Sequence, residues 1–277
     1  MNFKSFFTVW DGRADSRPAM DLAIQLTQMT GGHLDVLCLS ANAPETIYTA
    51  EASPQVLEEL AMAAKEEALA LKADAQAMTA AVDVAATVRA APLRLSEVPF
   101  VVGREGRFHD LIILPRPFSE SGTNDVVKTA LDGALFETLS PVLVCPPSPA
   151  GAIGRKILVA WNGDQEALRA IRAALPMLQK ADQVEIAMVE PQQSNDRNAP
   201  GFALMTMLTR HGVNAILSPI TRTAERVSDT LRQKARDMGA DMIVMGAYGH
   251  SQFRERFLGG ATREMLADAE LPVLMTH

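Results

Sequence analysis

A chain of 277 residues suits one large domain or two of ordinary size, and its 48% apolar against 21% charged residues describe a globular protein able to bury a core. A formal charge of −7 argues against the basic face that duplex nucleic acid requires, while leaving room for a local basic patch. Its two cysteines, Cys38 and Cys145, each lie inside an apolar run without metal or redox spacing and are expected to be buried and inert, as suits a reducing compartment.

The opening run M-N-F-K-S-F-F-T-V-W is stopped by Asp11 before it reaches the length of a signal-peptide core. No apolar stretch approaches the roughly 18–20 residues of a membrane helix, so a cytoplasmic protein with no membrane partner is expected. Residues 6–10 read as a first strand ended by Asp11-Gly12. A helical face over 15–29 (Met20, Ala23, Ile24, Leu26) closes at Gly31-Gly32, and 33–39 is a second strand. Residues 54–80 are almost all helix formers, with Leu57, Leu60, Ala64, Ala68 and Leu71 on one face; this is expected to be one long helix covering a sheet rather than a coiled coil. A third strand over 82–88, a poorly formed helix over 93–107, a fourth strand at 111–114, a helix near 126–139 and a fifth strand at 142–144 follow. The second half repeats the order: strands at 157–161, 184–189, 213–217, 242–245 and 272–275, with helices at 164–178, 200–211, 224–238 and 261–269 between them.

The repeat is visible residue by residue. T-V-W-D-G at 8–12 and V-A-W-N-G at 159–163 are offset by 151; Asp110–Leu114 and Asp241–Met245, then Pro141-Val-Leu-Val and Pro272-Val-Leu-Met, are offset by 131. Constant order with an offset change of about 20 residues indicates duplication with one length difference, most of it in the helix at 54–80 against that at 200–211. The run Pro146-Pro147-Ser148-Pro149-Ala150-Gly151 marks the boundary, giving domains at 1–147 and 154–277. Alternating strands and helices predict an α/β fold: two tandem doubly wound domains, each a five-stranded mostly parallel sheet of order 3-2-1-4-5 with helices on both faces.

An open sheet of this order binds ligands beyond the carboxyl ends of its first and fourth strands. In the second half these are Ala160-Trp161-Asn162 and Met245-Gly246. After Gly246 come Gly249, Gly259 and Gly260, and then the helix carrying Ala261 and Thr262. A strand, a glycine-bearing loop and a helix start together present free N–H groups and a positive dipole end to an anion. The same glycines could instead merely turn the chain from strand to helix. The spacing is neither Walker A nor G-x-G-x-x-G. It resembles the nucleotide loop of the universal stress protein family, G, two residues, G, nine residues, G, then Ser or Thr, with Gly260 where the hydroxyl residue stands and Thr262 two positions later.

The resemblance implies ATP or AMP as ligand, with Mg accompanying ATP, on a site formed by Ala160, Trp161, Asn162, Val189, Met245, Gly246, Gly249, His250, Gly259, Gly260, Ala261 and Thr262. Asn162 replaces the family's acidic residue; Asp164 either substitutes for it or caps the helix from 165. His250 is placed to donate to a phosphate or is simply an exposed loop residue. Arg254, Arg256 and Arg263 could neutralise phosphates, yet Glu255 and Glu264 alternate with them as on a solvated face. In the first half the aligned positions are Pro115, Phe118, Lys128 and Thr129, so the phosphate cradle is lost there while Asp11 keeps the acid. The five histidines lack metal spacing, and no G-x-S-x-G elbow or general base accompanies the loop, so a dedicated enzyme is not expected and slow ATP hydrolysis is the most it would do. The family further implies a cytoplasmic stress-response role, an unidentified protein partner, and pairing through the fifth strand. The two halves of one chain would meet that pairing as a pseudo-dimer, leaving a homodimer optional. Two functions remain open: a nucleotide-binding regulatory module, or a nucleotide-independent scaffold with a relic loop.

Overall fold

The computed structural model describes residues 3–40, 54–119, 122–148, 151–190, 200–248 and 260–277. They form two compact units, Asn2–Pro147 and Ser148–His277. In the first unit, β1 (Ser5–Trp10), α1 (Arg17–Thr30), β2 (His33–Ser40), α2 (Pro54–Ala80), β3 (Ala86–Pro92), α3 (Val98–Gly106) and β4 (Leu111–Pro115) lead to a short hairpin of β5 (Phe118–Ser119) and β6 (Gly122–Thr123), then α4 (Asp125–Phe136) and β7 (Val142–Cys145). The strands lie parallel in the order β3-β2-β1-β4-β7. The second unit contains β8 (Lys156–Ala160), α5 (Gln165–Leu178), β9 (Gln183–Val189), α6 (Pro200–Arg210), β10 (Ala215–Ile220), α7 (Val227–Met238), β11 (Met242–Gly246), α8 (Gly260–Asp268) and β12 (Val273–Thr276), again parallel, ordered β10-β9-β8-β11-β12. Each unit is therefore a five-stranded doubly wound sheet of order 3-2-1-4-5.

Consecutive strand residues point to opposite faces, so a strand buried at every position is covered on both. Leu111–Leu114, Ile157–Val159 and Met242–Val244 are buried without alternation, which is why these runs are continuously apolar. Helix α2 is a single element packed on β2 and β3, and its buried face is made of small residues: Ala64, Ala68, Ala75 and Thr79. Leu60, expected on that face, is 46% exposed, as are Val56 and Met62 in large part, so the first turns carry their apolar side chains outward.

The third strand starts at Ala86, not at Val82. The last turn of α2 captures the amides that follow: Val82 and Val84 N–H donate to Thr79 O at 3.4 and 3.3 Å, and Asp83 N–H to Ala80 O at 3.3 Å. That turn is completed by Asp83 in a left-handed conformation with φ 50°. Alternation across 82–84 looks like a strand, but helix-end hydrogen bonding wins.

Both cysteines are free and buried, and burial above all pushes each thiol up to about 12. The native chain is therefore expected to resist iodoacetamide at mildly alkaline pH and to take up label at both thiols once unfolded in urea, read by intact mass. Rapid labelling of either in the native state would contradict this packing.

Candidate functional site

The carboxyl ends of β8 and β11 are brought side by side by a shared carboxylate. Asp241, just before β11, accepts from the backbone N–H groups of Gly154, Arg155 and Lys156 at 2.8, 2.9 and 3.0 Å, and its own N–H donates to Lys156 O at 2.9 Å. With the strand starts so fixed, Val244 pairs with Val159, one residue before Met245 and Ala160. On the other flank of β8, Ala160 pairs with Ala187 of β9, and Trp161 N–H donates to Ala187 O at 3.0 Å, two residues short of Val189. Ala160, Trp161, Asn162, Val189, Met245 and Gly246 thus gather at one end of the sheet.

Gly246 has a packing reason to lack a side chain. A Cβ there would lie 2.5 Å from Ala167 N and 2.8 Å from Glu166 C, because the first turn of α5 rests on the end of β11. The chain then runs through Ala247, whose N–H donates to Thr276 O at 2.9 Å, to Tyr248, a buried residue with φ 64°. Its N–H donates to the hydroxyl of Thr262 at 3.3 Å. Thr262, 4% exposed, therefore ties the start of the loop to α8 and is not a spare surface hydroxyl. Gly260 and Ala261 form the exposed first turn of α8, and a Cβ on Gly260 would meet nothing nearer than Glu264 Oε1 at 3.8 Å. Glu264 itself is engaged by Ser228 Oγ at 3.2 Å and lies 3.8 Å from Arg226. Gly249, His250, Phe253, Arg254, Glu255, Arg256, Phe257 and Gly259 lie outside the described residues.

Asp164 occupies the N-cap position of α5 but its side chain makes no capping bond. Instead Asn162 Nδ2 donates to Asp164 Oδ2 and Asn162 Oδ1 accepts from Asp164 N–H at 3.1 Å. The short side chain is captured by its neighbour two residues back before it can turn to the helix amides. Three strands leave the sheet here through left-handed residues: Gly163 (φ 92°) after β8, Glu190 (φ 47°) after β9 and Tyr248 after β11. For Glu and Tyr this conformation costs roughly 1–2 kcal/mol, strain that concentrates where loops are shaped for a ligand.

In the first unit the equivalent region keeps a small recess of about 20 Å³, lined among others by Arg13, Arg116, Gly122, Thr123 and Asn124. Asp11 accepts from Asn124 Nδ2 at 2.7 Å and from Arg13 N–H at 3.2 Å, while Asn124 Oδ1 caps α4 by accepting from Val127 N–H at 3.2 Å. The short hairpin β5–β6 stands between β4 and α4. Asn124 escaped the sequence reading, although Asn-Asp before an apolar helix is a capping signature.

Duplicated, doubly wound and parallel, the chain is a tandem α/β protein. Residues 154–277 match the model of the universal stress protein family, so the second half of the chain belongs to that family, and the family's fold extends over the whole chain. A universal stress protein from Archaeoglobus fulgidus superposes with a TM-score of 0.71 at 15% identity, covering 99% of this chain and 98% of that one. A functionally unknown protein from Pseudomonas aeruginosa PAO1 does so with a TM-score of 0.59 at 18% identity, covering 99% and 92%. No curated protein matches the chain in sequence.

Because Gly246 faces backbone, Gly246→Ala is expected to lower unfolding free energy by about 1–3 kcal/mol in urea titration through overpacking. Thr262→Val, which orphans a buried N–H, should cost about 1–3 kcal/mol as well. A neutral Gly246→Ala would show that α5 does not press on β11.

Proposed function

We propose that the second unit binds an adenine nucleotide, ATP or AMP, and that occupancy biases a surface read by a protein partner in a cytoplasmic stress response. The observation that carries this reading is the path from Met245 through Tyr248, which leaves β11 beside the end of β8 and is tied by Thr262 to the opening turn of α8. The amides of Gly260 and Ala261 in that turn have no acceptor within their own helix and suit a phosphate, with Gly249, His250 and Gly259 as the further expected contacts. Mg would accompany ATP through its phosphates. Slow hydrolysis is the most the site would perform, and a homodimer is optional.

One observation favours a second reading, a nucleotide-independent scaffold: Asn162, at the position expected to meet the nucleoside, already spends both ends of its amide on Asp164. Mass spectrometry of the protein purified without added ligand separates the two.

Isothermal titration of the full chain is expected to give saturable ATP and AMP binding with at most one site per chain. Gly259→Val should abolish it and leave the circular dichroism spectrum intact; undiminished binding by that variant, or two sites per chain, would sink the reading. Gly260→Ser, for which there is room, should tighten ATP more than AMP, by roughly 10- to 100-fold if a full charged hydrogen bond is gained. Equal tightening of both would mean that residue 260 does not reach the outer phosphates.

A further inference from the structure

The two tryptophans of the chain stand at equivalent places of the repeat, Trp10 ending β1 and Trp161 directly after β8. Both are buried, 4% and 9% exposed. Their indole N–H groups have different fates. Trp10 Nε1 donates to Asp74 Oδ2 at 3.1 Å, and Asp74 belongs to the long helix α2. Trp161 Nε1 is buried with no acceptor among the described residues.

The composition of the counterpart helix explains the contrast. Helix α6, the counterpart of α2, has 11 residues against 27, and its sequence P-G-F-A-L-M-T-M-L-T-R contains no carboxylate or side-chain amide. Its two threonine hydroxyls bond their own helix, Thr206 to Phe202 O and Thr209 to Met205 O, both at 2.9 Å. The second half thus carries the donor without the acceptor. Indole N–H donates only, and a buried donor without a partner is a costly state that selection tolerates where a ligand completes it. Trp161 lies at the ligand end of the sheet, between Ala160 and Asn162 and hydrogen-bonded through its backbone to β9.

We propose that Trp161 is a specificity-determining residue of the second unit, its indole N–H donating to an uncharged acceptor on the nucleoside part of the ligand, a purine ring nitrogen or a ribose oxygen. This rests on the nucleotide reading above and adds to it the group that reads the nucleoside. A buried neutral donor suits a neutral acceptor, whereas the phosphates would be met by the amides at the start of α8.

The test uses the full chain and Trp161→Phe, which keeps an aromatic ring and removes the N–H. With ATP as probe, the variant is expected to bind about three- to tenfold more weakly, the worth of one neutral hydrogen bond. Deaza analogues of ATP at each ring nitrogen and 2′-deoxy-ATP then complete double-mutant cycles, and one of them should lose nothing further in the variant, identifying the acceptor. Parent and variant binding ATP equally, or every analogue losing as much in the variant as in the parent, overturns the role of Trp161 and leaves the nucleotide reading standing. No ATP binding by the parent overturns both. Thermal unfolding without ligand supplies a readout independent of ATP: Trp10→Phe, which breaks the bond to Asp74, should lower the Tm, whereas Trp161→Phe should not. A Tm loss for Trp161→Phe as large as that for Trp10→Phe would mean that the chain itself already satisfies the indole, and would overturn the proposal.

Discussion

One carboxylate at the amino end of each fourth strand governs the geometry of its unit. Asp110 accepts from the N–H groups of Lys4 and Ser5 at 2.7 and 3.0 Å, and Asp241 from Gly154, Arg155 and Lys156. A carboxylate taking two or three backbone amides forms charge-assisted bonds, stronger than the neutral bonds of the ladder beside it. It sets the start of the first strand against the start of the fourth, and a one-residue slip would turn every side chain of either strand to the wrong face. Because both strands are short, fixing one end also fixes the other, where Ala160 and Met245 lie side by side. The crevice at the switch point is a consequence of a clamp at the opposite end of the sheet.

That clamp is also why the duplication could be read from the sequence. Asp110 and Asp241 recur at a constant offset together with the strands they introduce, so the echo marks a physical requirement and not chance similarity. The continuous apolar runs gave strand identity and burial on both faces, and the sheet order followed from alternation with helices. What stayed illegible depended on contacts distant in sequence. Gly246 reads as a ligand-loop glycine, yet the backbone of Ala167 requires the missing Cβ. Leu60 fits a helical face by period, but the sheet under α2 is met by alanines further along. Asp164 has the right type and position for a cap and is diverted by Asn162. Local pattern cannot see competition among partners that only the fold brings within reach.

The halves also differ in how they use one pair of side-chain types, an acid and an amide, near the end of the first strand. In the first unit the acid comes from the strand end and the amide from α4: Asp11 and Asn124 are 113 residues apart and tie β1 to the start of α4. The charge of Asp11 is thereby committed to structure, and Asn124 uses its remaining oxygen on Val127. In the second unit the order is reversed and the pair is local, with Asn162 and Asp164 only two residues apart. No side chain from the end of β8 is spent on capping α8 among the described residues, and the link to α8 comes instead from the far side, through Tyr248 and Thr262.

The two arrangements lead to opposite properties at the same point of the same fold. In the first unit a strap runs from strand end to helix cap, where Asn124 satisfies the amide of Val127 and holds Asp11. The second unit leaves the first turn of α8 exposed and bears the strain of Glu190 and Tyr248 at its strand ends. Such strain persists only where surrounding structure holds it: Tyr248 is held between buried Ala247 and Thr262, and Glu190 N–H is bound by Ile220 O at 2.9 Å. Stability and openness at a switch point compete for the same few hydrogen-bonding groups, and the two halves of this chain commit those groups differently.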